Sequence, residues 1–319
     1  MKMEQKIAVI DLGTNTFHLL ITGLQDGDWR IIHSEKQAVK IGVGGINQNI
    51  IPNDGMERAI QCLKNYKIKL DEYQVALVLA LGTSALRNAK NSKEVINKIY
   101  EATGITVHLI SGEQEAEYIY YGVRSAVTLG DKTSMIVDIG GGSVEFIIGD
   151  GKDIFWKQSF EIGAQRLLEM YHKHDPILES ELVQLNEYFE KSLGSLQDAV
   201  EKYTPTVLAG SSGTFDTLSE IYCMENNIPI SKNDAETPLT IEAFHKIYKQ
   251  LVSKNRAQRM QVPGMIEMRV DMIVVGSCLV DYLIKKFNLT SIRVSSYSLK
   301  EGAMAIEILR LKAQQQQLS

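Results

Sequence analysis

VIDLGTNTFHLLI (residues 9–21) is the stretch from which the rest of the chain is read. Val9 and Ile10 begin an apolar strand, and Asp11, Gly13, Thr14, Asn15 and Thr16 make a small polar bend. Phe17, Leu19, Leu20 and Ile21 then resume strand character. A bend of small residues at the mouth of a sheet presents closely spaced backbone N–H donors, a concavity suited to phosphate. Asp11 would repel a phosphate directly. Its useful chemistry is to hold a hard cation through oxygen, usually by way of water.

The pattern recurs. MIVDIGGGSVEFIIG (135–149) aligns on it without a gap, so that Asp138 falls on Asp11, Gly140 on Gly13 and Ser143 on Thr16, while Phe146, Ile147 and Ile148 fall on Leu19, Leu20 and Ile21. A single hairpin with a glycine turn is common, but two ungapped copies matching carboxylate with carboxylate and hydroxyl with hydroxyl imply two similar half-structures. If the halves face each other, two phosphate loops and two carboxylates meet in one cleft.

The chain has 319 residues, enough for two domains of ordinary size. Its hydrophobic content of 44% and charged content of 23% are those of an ordinary soluble protein. A net charge of −5 argues against a general nucleic-acid binder, yet a local cluster of Arg, Lys and metal still holds a polyanion inside an acidic protein. Cys62, Cys223 and Cys278 are far apart and form no ligand pattern, so buried free thiols are expected rather than zinc or disulfides. The N-terminal MKMEQKIAVIDLG runs straight into the first strand, leaving no room for a signal peptide, and no apolar run approaches the roughly 18 residues of a spanning helix. A cytoplasmic protein is expected.

After the first hairpin, Trp29 to Lys40 reads as a strand, followed by the glycine-rich bend IGVGGIN; Lys36 and Lys40 near it are expected to be solvated. Pro52 and Asn53 start a helix over 52–72 in which Met56, Ala59, Ile60, Leu63 and Ile68 recur at helical spacing. VALVLALGTSALRNAKN is a strand apolar on both faces, then a turn and a helix, with Thr83 and Ser84 at the helix start and Arg87 in its first turn. Hydroxyls, bare N–H groups and a guanidinium there make a competent phosphate site. An ordinary N-cap with a surface arginine explains the same residues equally well.

Another helix covers 93–103, and ITVHLISGEQEAEYIYYGV repeats the strand-turn-helix scheme. Ser111 with Gln114 fits a capping box, placing Glu113 and Glu115 in the first helical turn, where acidic residues are favoured by the helix dipole alone. Spacing therefore cannot pick a base among Glu113, Glu115 and Glu117.

In the second half, 153–160 reads as a strand. EIGAQRLLEMY opens a helix with Gly163 and Arg166 at its entrance, and one long helix is expected over 179–202. TPTVLAGSSGTFDTLSEIY gives a strand, a Gly210-Ser211-Ser212-Gly213-Thr214 loop and a helix start, a further phosphate signal. Residues 225–240 look like an exposed loop and 241–254 like a helix. PGMIEMRVDMIVVGSCLVDYLIKKFN is a turn and then a strongly apolar helix, with Arg269 and Asp271 pairing with each other or with the cleft wall in a structural role. SIRVSSYS is a last strand before the helix LKEGAMAIEILRL, and the tail AQQQQLS is expected to fray.

Seven blocks together resemble the exopolyphosphatase and guanosine pentaphosphate phosphohydrolase (Ppx/GppA) family: VIDLGTNTFHLLI, GTSALRNA, ISGEQEAEYIYYGV, VDIGGGSVEFIIG, IGAQRL, AGSSGTFDTL and VSSYSLKEGAM. They occur in the family's order over nearly the whole length. The resemblance implies an α/β fold of two duplicated ribonuclease H-like domains of the actin, Hsp70 and sugar kinase superfamily, with the site in the interdomain cleft. Domain I is expected over 1–124 with the C-terminal helix 299–319, and domain II over 125–298.

The resemblance also implies hydrolysis of terminal phosphate from inorganic polyphosphate or guanosine pentaphosphate, with Mg²⁺ and a glutamate that activates water. That glutamate is the second acidic position of an SG-x-E-E-A-R block, which falls on Glu115. Asp11 and Asp138 match metal-associated aspartates, and Glu145 a further cleft carboxylate, giving Asp11, Asp138 and Glu145 as the expected metal residues. Arg87 matches a phosphate-contacting arginine. Phosphate-binding residues are then expected at Gly13, Thr14, Asn15, Thr16, Thr83, Arg87, Gly140, Gly141, Gly142, Ser143, Arg166, Gly210, Ser211, Ser212 and Gly213.

Gln114 stands where many relatives have glutamate, which removes a rival base, and Glu117 where many have arginine, which makes the entrance more acidic. The chain resembles the short members that lack appended helical domains. Polyphosphate or guanosine pentaphosphate is the expected partner, with no nucleic acid or membrane, and a homodimer is compatible with the reading. Two other readings fit the same superfamily: an ATP-dependent small-molecule kinase, which would need an acceptor where a hydrolase needs only water, and a non-catalytic regulator that binds guanosine tetra- or pentaphosphate without releasing phosphate.

Overall fold

Apolar runs stand on both sides of each small-residue bend, and the backbone follows them as strands buried along nearly their whole length. The computed structural model describes residues 5–25, 28–231 and 234–317. In the first unit, β1 (Lys6–Leu12), β2 (Thr16–Gln25) and β3 (Asp28–Ala38) form an antiparallel meander. It continues through α1 (Asn53–Glu72), β4 (Leu77–Gly82), α2 (Ser84–Asn88), α3 (Ser92–Thr103), β5 (Val107–Leu109) and α4 (Gly112–Ala126). β4 and β5 join parallel to β1, giving the order β3-β2-β1-β4-β5.

The second unit repeats the plan with β6 (Ser134–Ile139), β7 (Val144–Gly149) and β8 (Ile154–Phe160), then α5 (Ala164–Tyr171), α6 (Glu179–Ser192) and α7 (Gly194–Tyr203). β9 (Val207–Ser211), α8 (Ser212–Glu225), β10 (Glu236–Thr237), α9 (Ile241–Ser253), α10 (Arg256–Arg259), α11 (Met272–Phe287) and β11 (Ser291–Ser295) follow, and the last helix, α12 (Leu299–Gln317), returns to the first unit. The order β8-β7-β6-β9-β11 matches that of the first sheet strand for strand, with β10 added antiparallel on the far edge. The chain divides into Met1–Gly122 with Leu299–Ser319, and Val123–Ser298. Duplication extends to the turns, since a Cβ on Gly13 would lie 2.8 Å from the carbonyl oxygen of Thr16 and one on Gly140 would lie 3.0 Å from that of Ser143.

Each sheet buries one face under the helices that follow its third strand. Ala8, Ile10, Leu12, Phe17, Leu19 and Ile21 pack with residues of α1 and α3, and the Tyr66 hydroxyl donates to the Phe17 carbonyl at 2.9 Å. Met135, Val137, Ile139, Val144, Phe146 and Ile148 do the same with residues of α6 and α7. On the first unit α12 lies against β1 and β2, with Met304 receiving the Thr22 hydroxyl, and Gly302 lets it approach α4 closely, for a Cβ there would be 1.7 Å from the Tyr118 carbonyl oxygen. All three cysteines are buried and free. No helix among the described residues is long and apolar enough to cross a membrane.

Several sequence expectations are corrected. The helix expected over 179–202 is two, α6 and α7, because the chain bends at Leu193 and Gly194; glycine resists helix less when it can sit at a break, and the bend keeps Leu193 and Leu196 both buried. Ile68, counted on the apolar stripe of α1, is 57% exposed, because the buried stripe runs through Leu63, Tyr66 and Leu70, and a residue two positions from either of the last two lies on the opposite side of the helix. Glu236 and Thr237, within the expected loop 225–240, pair with β11; Lys232 and Asn233 of that loop lie outside the described residues. The expected fraying tail is helical in α12 as far as Gln317, and its last two residues lie outside the described ones.

Two expected outcomes follow from packing. Gly302→Ala should lower the urea midpoint by the equivalent of about 1–3 kcal/mol through overpacking, whereas Gly194→Ala, with nothing within 4 Å of the added carbon at a helix start, should hold or raise it. A second concerns His172, which caps α5 with its ring buried beside Arg259 and neither ring nitrogen hydrogen-bonded. Burial, then the Arg259 charge, push its pKa below the ordinary 6.5 against the pull of Asp175 and Glu181. The unfolded chain therefore binds the proton more readily, so stability is held above pH 6.5 and falls as pH drops below it. Urea midpoints measured between pH 7.5 and 5 should show that loss in the wild type and less of it in His172→Phe.

Candidate active site

Functional side chains collect where open α/β sheets bind ligands, beyond the carboxyl ends of the parallel strands. In the first unit those ends belong to β1, β4 and β5. Asp11 is the penultimate residue of β1 and the bend 13–16 follows it; Thr83 follows β4, its amide and hydroxyl both 3.4 Å from the Leu12 carbonyl; and Glu115 lies in the first turn of α4, after β5.

The bend is held from behind. The Asn15 carbonyl accepts from the amides of Val39 and Lys40 (3.0 and 2.9 Å), and that of Thr14 from Gly42 (3.3 Å). The missing side chain of Gly42 is what allows this approach, as a Cβ would be 2.7 Å from the Thr14 methyl carbon. Lys36 and Lys40 are exposed, as their reading as solvated charges anticipates.

Glu113, Glu115 and Glu117, indistinguishable by spacing, are separated by burial. Glu113 is exposed and Glu117 half-buried, but Glu115 is only 6% exposed and its Oε2 accepts from Arg87 Nη1 at 2.6 Å. Arg87 Nη1 also lies 3.3 Å from the Ile110 carbonyl. Arg87 is therefore neither a surface charge nor isolated: α2 delivers it to the acidic turn of α4. Gln114 completes the expected capping box, exchanging hydrogen bonds of 3.1 Å with Ser111.

The second unit builds the counterpart from β6, β9 and β11. The carbonyls of Gly140, Gly141 and Gly142 accept from the amides of Ala164, Gln165 and Gly163 (2.9, 2.9 and 3.2 Å), so the turn is tied back by the segment after its third strand just as in the first unit. Arg166, expected at phosphate, donates from Nε to the Gly142 carbonyl (2.8 Å) and from Nη2 to Glu161 (3.1 Å), bracing the turn. Glu145 lies opposite Asp138 across β6 and β7, hence on the same face, and its Oε1 accepts the Ser159 hydroxyl at 2.7 Å; His18 holds the equivalent place opposite Asp11.

The expected glycine-serine loop is absent. β9 runs directly into α8, with Gly210 and Ser211 inside the strand. Space that a Gly210 side chain would need is filled by the Phe215 ring, and that of Gly213 by the Arg269 guanidinium. The hydroxyls of Ser211 and Ser212 both donate to Asp138 Oδ2 at 2.7 Å. Ser211 stands at the N-cap of α8 yet makes no side-chain cap, forgoing about 1 kcal/mol of local stability. Ser212 takes φ of 67° at the helix start, a left-handed conformation costing a non-glycine residue about 1–2 kcal/mol. Asn49, Thr204 and Asn288, also at positive φ, instead close helices.

Sequence reading missed Ser298, which follows β11 and donates to the same Asp138 oxygen, and undervalued Arg269. Asp271 pairs with Arg256 (3.2 Å), and the charges that act on Arg269 are those of Asp216 and Asp138, which oppose the downward push of burial on its pKa. Only an arginine just before an apolar helix signalled it. Among the described residues no three His, Cys, Asp or Glu side chains gather closely enough to hold an ion by themselves. Asp138 and Glu145, side by side and hydrogen-bonded by hydroxyls, fit instead a hard cation held through one or two carboxylates, water and substrate oxygens, which is how Mg²⁺ is commonly bound.

Comparison with known proteins agrees with this fold. The crystal structure of an exopolyphosphatase from Cytophaga hutchinsonii is 44% identical, with a TM-score of 0.92 over 94% of this chain and 97% of that one. A Ppx/GppA family member from Aquifex aeolicus is 27% identical, with a TM-score of 0.78 over 96% of this chain and 98% of that one. The guanosine-5'-triphosphate,3'-diphosphate pyrophosphatase of Photobacterium profundum is 29% identical over 298 residues, 92% of this chain; the chain spans 58% of that relative's length. With the Ppx/GppA phosphatase family model matching residues 20–311, this chain belongs to the Ppx/GppA phosphatase family.

Proposed function

We propose that the protein hydrolyses a terminal phosphoanhydride, releasing orthophosphate from inorganic polyphosphate or guanosine pentaphosphate. The observation that carries this reading is Glu115, buried beyond the carboxyl end of β5 and hydrogen-bonded to Arg87 at 2.6 Å. Neither a surface capping role nor the helix dipole requires a carboxylate to be buried against a guanidinium.

In this reading the bends 13–16 and 140–143 receive phosphate oxygens on their amides, since their carbonyls are bonded away on the other side. Arg87, a planar multidentate donor, contacts the terminal phosphate while keeping its bond to Glu115, which sets the carboxylate beside the phosphorus. Glu115 orients a water and takes its proton as the oxygen attacks; the bridging P–O bond breaks and the shortened substrate leaves with the electron pair. Asp138 and Glu145 would hold a Mg²⁺ ion that offsets charge on the transferred group, and Asp11 is the equivalent carboxylate of the first unit. Thr83, Ser143 and Arg166 complete or brace the phosphate surface. Reactions of this kind depend mainly on positioning and charge stabilisation.

Phosphate release assayed with short polyphosphate, long polyphosphate and guanosine pentaphosphate tests the reading, and absence of release from all three would overturn it. Glu115→Gln should lower kcat about 10²- to 10⁴-fold with KM little changed. A folded variant with near-normal turnover would remove Glu115 from this role. Chelation with EDTA should abolish release from every substrate, and added Mg²⁺ should restore it.

A further inference from the structure

Asp138 accepts three side-chain hydroxyls, and those bonds are one-sided. Ser211 at the end of β9, Ser212 at the start of α8 and Ser298 beyond β11 all donate to Oδ2, and no hydrogen bond from the described residues reaches Oδ1. The three hydroxyls lie at or just beyond the ends of β9 and β11, the two successive strands on one side of β6 in the same sheet, so the arrangement belongs to the tertiary fold and not to one local turn. Ser212 and Ser298 also touch each other, their hydroxyl oxygens 3.4 Å apart. Local backbone preference opposes the cluster at two points: Ser211 leaves α8 without its side-chain cap, and Ser212 occupies a left-handed conformation that glycine would adopt without strain. Strained, uncapped residues that converge on one functional atom mark a constraint on that atom.

We propose that Ser211, Ser212 and Ser298 form a hydroxyl clamp that fixes the Asp138 carboxylate, occupying Oδ2 so that Oδ1 alone is presented to the divalent cation and its water. Ser212 and Ser298 are thereby positioning residues for the cation and not phosphate ligands. This rests on the hydrolase reading for its purpose, but its test does not depend on turnover. A carboxylate whose second oxygen is held cannot rotate to chelate or swing away, so the clamp sets the orientation in which a water-shelled Mg²⁺ is received.

The experiment measures Mn²⁺ binding by electron paramagnetic resonance on full-length wild type, Ser298→Ala, Ser298→Thr, Ser212→Gly and Asp138→Asn, without substrate. Mg²⁺ activation of phosphate release follows on the same proteins. Ser212→Gly should unfold at the same or a higher temperature than wild type, because it relieves the left-handed strain. Both Ser212→Gly and Ser298→Ala should bind Mn²⁺ about 10- to 100-fold more weakly. Their turnover should recover with added Mg²⁺ and their KM for polyphosphate at saturating Mg²⁺ should stay at the wild-type value. Ser298→Thr, which keeps the hydroxyl, should remain close to wild type. Unchanged Mn²⁺ binding in Ser212→Gly and Ser298→Ala, binding as weak in Ser298→Thr as in Ser298→Ala, or no Mn²⁺ binding by the wild type, would each overturn the clamp. A wild type that binds Mn²⁺ but releases no phosphate would overturn the hydrolase reading and leave the Mn²⁺ isotherms to decide the clamp.

Discussion

A turn of the backbone attracts an anion only if its own carbonyl oxygens are turned away, because every carbonyl near the site repels what the amides attract. Both turns meet that constraint by the same device. The segment after the third strand of each sheet lies behind the turn and donates its amides to those carbonyls, Val39, Lys40 and Gly42 in one unit, Gly163, Ala164 and Gln165 in the other. This device explains the placement of glycines that no turn geometry demands. Gly163 has extended backbone angles, yet a Cβ there would lie 2.4 Å from the carbonyl of Gly141, so glycine is needed for proximity and not for conformation.

Charge is distributed on a second principle. Arg259, away from the candidate site, is 1% exposed and donates to Asp175 Oδ1 (2.6 Å), the Val270 carbonyl (2.9 Å) and the Lys254 carbonyl (2.5 Å), tying together segments far apart in sequence. The Arg87 and Glu115 pair is also buried, but it sits at the end of a strand beside an anion-receptive turn. Breaking such a pair by removing one member strands a desolvated charge, which costs about 3–5 kcal/mol in comparable sites. That expense serves no packing purpose, which is why the pair is read as chemistry.

Much of this was legible from residue pattern. The duplicated VIDLGTNTFHLLI and MIVDIGGGSVEFIIG stretches foretold paired hairpins, and the strand orders repeat as they require. The Ser111 and Gln114 capping box also formed as read. Other features were hidden for definite reasons. Leu193 and Gly194 sit in a run with continuous helical periodicity, and the break there shows only in the packing that buries both Leu193 and Leu196. Gly210 to Gly213 looks like a phosphate loop because glycine and serine favour turns, but here glycine makes room for Phe215 and Arg269, and serine serves Asp138.

The sequence alone determined the repeat, the apolar runs that become buried strands, and the chemical types gathered near each strand end, since these depend on spacing along one chain. It also carried the resemblance that pointed to Glu115. Tertiary structure decided which of three neighbouring glutamates is buried, that Arg87 from α2 meets it, and that Ser298 joins Ser211 and Ser212 on one oxygen of Asp138 across a separation of 160 residues. Such pairings depend on which strand ends become neighbours in a sheet, and periodicity along a chain says nothing of that until long-range strand pairing has fixed it.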